Sequence, residues 1–193
     1  AIDKETADLA VVRTDVAMPE RGQTVAIMHR DAAILLTTAR LGLGKVADLQ
    51  GRNVGVLLRL AANEALLDTI LSHYEVPVAS VGRVMLNSPA EAAESLGSGR
   101  IDAVLVVGAT TGRIVTDTVA ALARSEGASL VFLPVGEADA IAQRDPRLES
   151  HEIVRGAFGG TPPRPAETVA TVAVTHRLVA RTALDVNDVA EFT

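Results

Sequence analysis

The residues able to do chemistry are few and scattered. Four histidines, His29, His73, His151 and His176, lie far apart, with no HExxH-like pair, and each reads as a surface or edge residue rather than a metal ligand. There is no cysteine, which excludes disulfides, thiolate metal sites and thiol nucleophiles. Gly42-Leu-Gly44-Lys-Val-Ala47 imitates a dinucleotide fingerprint, but Asp48, Gln50 and Gly51 follow at once, so no long helix offers its N-terminus to a pyrophosphate. Gly44-Lys45 lacks the Ser/Thr of a phosphate loop, and Gly97-Ser98-Gly99 lacks the spacing of a nucleophile elbow. Asp31, Asp48, Asp68 and Asp102 all suit turn, cap or helix-face roles, and nothing calls for a catalytic carboxylate pair. The chain is therefore expected not to be an enzyme and to need neither cofactor nor metal.

Composition narrows the partners. With 193 residues, 48% apolar and 22% charged, the chain is long and apolar enough to bury an ordinary core. Only three Phe, one Tyr and no Trp are present, so a base-stacking platform is hard to build. The net charge of −6, with no dense Lys/Arg cluster, argues against nucleic acid or an anionic membrane surface as partner. No apolar run approaches the length of a membrane span. Ala1 is not an initiator Met and strand-like sequence begins almost at once, so the chain is expected to be a piece of something longer.

The elements that must position any site alternate between β-branched runs and helical patterns, predicting an α/β fold with a mostly parallel sheet. Predicted strands cover residues 8–12, 24–29, 33–37, 52–57, 81–86, 101–107, 130–133 and 168–174. Leu66, Leu67, Ile70, Leu71 and Tyr74 form a stripe that predicts a helix over 61–74. Ser88, Pro89 and Glu91 supply an N-cap, a first helical residue and a capping box, and Gly97 stops that helix. Further helices are predicted over 113–125, 138–144 and near 185–192. Gly/Pro-rich stretches at 40–51 and 156–165 mark places where the chain is expected to cross between two lobes.

The order of these pieces resembles that of type II periplasmic solute-binding proteins, and most closely the TAXI family of TRAP-transporter solute receptors. The resemblance rests on residues 7–15, Ala47-Asp-Leu-Gln-Gly-Arg-Asn-Val-Gly55, residues 91–103, and Thr168-Val-Ala-Thr-Val-Ala-Val174 with Leu178-Val179. It implies a two-lobed α/β clamp with one lobe complete and the other partial: 1–47 partial lobe I and crossover, 48–155 lobe II, 156–193 return crossover and partial lobe I. It further implies an extracytoplasmic or periplasmic receptor that takes a small anionic or amino-acid-like solute and passes it to membrane transporter subunits. The same fold used as a sensor ectodomain or a LysR-like effector domain is the alternative. The missing part of lobe I would leave edge strands and apolar surface uncovered, so self-association is expected.

Because ligands of open α/β sheets sit at strand carboxyl ends, the nominated ligand-binding residues are Arg13, Thr14 and Asp15, then Arg59 and Asn63, then Gly108, Ala109 and Thr110. Phe158 is added from the resemblance alone. Two departures from the family pattern stand out. Gly55-Val-Leu-Leu-Arg-Leu-Ala-Ala-Asn63 lacks the small hydroxyl residues of the usual anion-binding turn, and Gly156-Ala-Phe158 replaces Gly-x-Tyr. Arg59 either supplies a charged fork to a carboxylate or only covers Leu58 and Leu60 with its stem. Arg13 ends an apolar run and needs solvent or an acidic partner such as Asp15.

Overall fold

The structure, a computed structural model, describes residues 2–4, 6–58 and 60–183. The elements run β1 (Leu9–Arg13), β2 (Gly22–Thr38), β3 (Asn53–Leu57), α1 (Ala61–His73), β4 (Gly82–Leu86), α2 (Pro89–Gly97), β5 (Ala103–Gly108), α3 (Arg113–Glu126), β6 (Leu130–Leu133), α4 (Ala138–Arg144), β7 (Leu148–Ile153) and β8 (Val169–Arg181). All eight strands join one sheet in the order β1-β8-β2-β5-β3-β4, with β6 also on β2 and β7 also on β8. The predicted helix over 185–192 lies outside the described residues.

The sheet corrects the expectation of mostly parallel pairing. Only β3 runs parallel to its neighbours, β4 and β5; β1–β8, β2–β5, β2–β6, β2–β8 and β7–β8 are antiparallel. The cause is a pair of long strands. Residues 24–29 and 33–37 are one strand, because Arg30 and Asp31 stay in register opposite Thr175 and Val174 instead of breaking the chain. β8 likewise continues through the polar Thr175-His176-Arg177 to Arg181. Strand β7 was not predicted, since only its ends, Leu148 and Ile153, are buried apolar residues; pairing to β8 shapes it.

Two apolar layers clasp the sheet, and the period-2 alternation of the strands assigns residues to them. Leu35, Val56, Leu105 and Val174 meet Leu66, Leu67, Ile70 and Leu71 of α1 and Ile141 of α4 on one face. Ile34, Leu36, Val104 and Val106 meet Leu96 of α2 and Val115, Val119 and Leu122 of α3 on the other. The predicted stripe of α1 is thus buried, and α2 starts on the predicted cap: Ser88 Oγ accepts from Glu91 N at 3.2 Å. The Glu91 carboxylate reaches one residue further back than a capping box requires, accepting from Asn87 N at 2.9 Å.

Residues 40–51 tuck Leu43, Val46 and Leu49 into the core. Residues 156–165 fold back on themselves through Gly156 N–H to Pro165 O and Phe158 N–H to Arg164 O. Large exposed apolar side chains, Val11, Val16, Met18, Ile27 and Met28, lie on β1, the turn after it and the first half of β2. No helix among the described residues is long and apolar enough to cross a membrane.

Candidate functional site

The carboxyl end of β1 supplies the best-defined polar group. Arg13 forks onto Asp15, with Nε to Oδ1 at 3.0 Å and Nη2 to Oδ2 at 2.7 Å. Its remaining arm, Nη1, donates to Asn63 Oδ1 at 2.7 Å. Asn63, 1% exposed in the first turn of α1, donates in turn to Leu57 O at the end of β3. The side chains of Arg13 and Asp15 are only 11% and 9% exposed. The acidic partner that a guanidinium ending an apolar run requires is thus Asp15, and the same side chain ties β1 to the start of α1.

The other nominated residues divide. Thr14 is engaged elsewhere, donating to Arg147 O and accepting from Thr175 N–H. Gly108 pairs with Ala32, beside Asp31, and a Cβ there would come within 2.9 Å of Val115 Cγ2, so the glycine lets α3 approach the strand end. Ala109 and Thr110 form the turn that follows, and Gly112 is the N-cap of α3. Phe158 stacks on Phe132 with centroids 5.6 Å apart, packed on the α2–α3 layer and not on the Arg13 group. Arg59 lies outside the described residues. Just before it, Leu58 adopts φ 61°, a left-handed conformation costly for a non-glycine residue, which marks a constrained turn between β3 and α1.

One constellation escaped the sequence. His176 of β8 stands opposite Arg13 on one side and His29 on the other. The two imidazoles stack with centroids 4.3 Å apart and planes 17° from parallel. Asp31, two residues beyond His29 on the same strand face, lies 3.5 Å from His29 Nε2 and 3.5 Å from His176 Nδ1. Burial pushes the His176 imidazole down, opposed by the Asp31 charge. The i, i+2 spacing of His29 and Asp31 was visible in the sequence, but their partner comes from a strand whose register no local pattern encodes.

Beside this group, Glu149 of β7 accepts from Arg30 Nε at 2.5 Å and Thr175 Oγ1 at 2.6 Å, and both hold its carboxyl below the usual range. A depressed carboxyl stabilises the fold above its unfolded value, and that stability is lost as pH falls through the folded value. Arg30 and Glu149 are both over a third exposed, so solvent screening limits the effect to about 1 kcal/mol. Glu149→Gln is expected to flatten the acid limb of stability by that amount, read by urea titration at a series of pH values; an unchanged acid limb would show the pair contributes nothing. A cavity of about 510 Å³ lies elsewhere, between Leu130, Phe132 and the segment 162–169, and none of the nominated residues lines it.

The sequence profile of the NMT1-like family matches residues 22–193. The chain belongs to the NMT1-like family. No curated protein matched this NMT1-like chain. Among solved structures, XAC2383 from Xanthomonas citri, bound to ATP, is similar at 12% identity and a TM-score of 0.57, over 98% of this chain and 62% of that one. A polar amino acid ABC uptake transporter substrate-binding protein from Streptococcus thermophilus is similar at 15% identity and a TM-score of 0.44, over 91% and 52%. Tv2483 bound to L-arginine is similar at 16% identity and a TM-score of 0.48, over 98% and 59%. The NMT1-like chain thus spans under two thirds of the length of each. Its α/β fold is that of XAC2383.

Proposed function

We propose that this NMT1-like chain is the solute-binding part of an extracytoplasmic receptor, serving a TRAP-type transporter of the TAXI kind and taking a small carboxylated or amino-acid-like solute. The observation that carries it is the buried Arg13–Asp15–Asn63 group, which brings the ends of β1 and β3 and the start of α1 to one place. Strand carboxyl ends and a helix start are where an open α/β sheet receives an anionic ligand. In this reading residues 48–155 form one lobe. Residues 1–47 and 156–193 contribute part of a second lobe, and β2 and β8 are the crossovers. In this reading Arg59, which precedes α1 in the sequence, pairs with the solute carboxylate, while Arg13 braces the start of α1 through Asn63.

Calorimetric titration of the chain with a panel of mono- and dicarboxylates and amino acids tests this. A saturable binder is expected, and Arg59→Ala should weaken it by roughly 10- to 150-fold, the loss of one charge-assisted contact. Failure of every compound to bind would overturn the solute reading. A binder that tolerates Arg59→Ala would remove Arg59 from the site.

A further inference from the structure

We propose that His29, Asp31 and His176 form a binding site for a divalent transition-metal ion on the paired crossover strands. Their ligand atoms all lie within 4.8 Å of one another, one from each residue. Two imidazole nitrogens and a carboxylate suit Zn²⁺ or its first-row neighbours rather than Mg²⁺ or Ca²⁺, which prefer oxygen ligands throughout. The spacing agrees with that chemistry. Ligands at tetrahedral Zn²⁺ distances sit roughly 3.3 Å apart, and Asp31 Oδ1 stands 3.5 Å from His29 Nε2 while its Oδ2 stands 3.5 Å from His176 Nδ1.

Three further features support the assignment. His176 Nδ1 is buried and has no hydrogen-bond partner, although a neutral imidazole nitrogen there would ordinarily find one. The site is built on two hydrogen-bonded strands, with His29 and His176 directly opposite in register, so two of its three ligands are set by the ladder itself. The neighbouring cation, Arg13, is already forked onto Asp15, which offsets its repulsion of a metal ion. Loading asks one adjustment. The stacked rings must separate, and His29, half exposed, is free to turn while the more buried His176 stays. Three protein ligands leave a coordination position open to water or to an oxygen of another molecule.

Zn²⁺ titration of tag-free protein by calorimetry at neutral pH tests the site without any solute. One saturable equivalent is expected. His29→Gln and Asp31→Asn should each weaken it by roughly tenfold or more, while His73→Ala and His151→Ala leave it unchanged. His29 is half exposed, so its variant should fold, which far-UV circular dichroism checks. Co²⁺ should give a visible absorption band of a low-coordinate nitrogen-ligated ion, lost in His29→Gln. Absence of saturable Zn²⁺ binding would overturn the proposal, as would binding that survives both His29→Gln and Asp31→Asn or disappears with His73→Ala. Zn²⁺ binding with no carboxylate binding would leave the metal site standing and remove the solute reading; the reverse result would do the opposite.

Discussion

Arg13→Ala is expected to destabilise the chain by about 3–5 kcal/mol, the cost of breaking a nearly buried ion pair by removing one partner. The reason is what remains. Asp15 would keep a carboxylate that is 9% exposed with its bidentate partner gone, and Asn63 Oδ1, in a residue 1% exposed, would lose its donor. Urea denaturation of the two proteins reads the difference directly from the midpoint and slope. Removing the stranded charge as well separates this cause from lost packing, so Arg13→Ala with Asp15→Asn should be less destabilised than the sum of the single changes. A loss below about 1 kcal/mol for Arg13→Ala would place the pair among ordinary solvent-exposed ones and would dissolve the tie between β1 and α1.

Leu105→Ala is expected to cost about 2–5 kcal/mol, the range for truncating a fully buried leucine whose site cannot collapse. Leu105 is 0% exposed in the middle of the sheet, opposite Leu35 of β2 on one side and Val56 of β3 on the other. Hydrogen-bonded strands flank it on both sides, so the backbone has little room to move into the space. Leu60→Ala provides the contrast, since Leu60 is half exposed and should stay within about 0.5 kcal/mol. Equal losses at both positions by thermal and urea unfolding would contradict the layer assignment.

What could be read from the sequence was what local spacing encodes. The stripe of α1, the Ser88 cap of α2 and the need of Arg13 for an acid two residues away all involve residues within a turn or two of each other. Their structural counterparts are where the spacing puts them. What could not be read depends on distant neighbours. Arg30-Asp31 looked like a break between two short strands, because charges seldom sit inside a buried run, yet Arg30 is satisfied by Glu149 and Asp31 sits beside two histidines. β7 has almost no strand signal of its own. The second partner of Arg13, Asn63, lies fifty residues away in sequence. The pairing of His29 with His176 needs a register that only the folded sheet supplies. Phe158, nominated from a family pattern that this chain alters, packs on Phe132.

The long β2–β8 pairing also dictates an order of events during folding. Among the described residues, β1 has no strand neighbour except β8, and residues 22–31 of β2 likewise pair only with β8. β3, β4 and β5, with α1 and α2 between them, close through short connections and can assemble while the rest of the chain is still being made. The first strands wait. Among the described residues, the stretch bearing Ile27 and Met28 has no strand partner until β8 is made, and that pairing closes a long loop. Of the described strands β2 is thus completed nearly last, and the time before β8 emerges is when it is most exposed to pairing with the wrong partner.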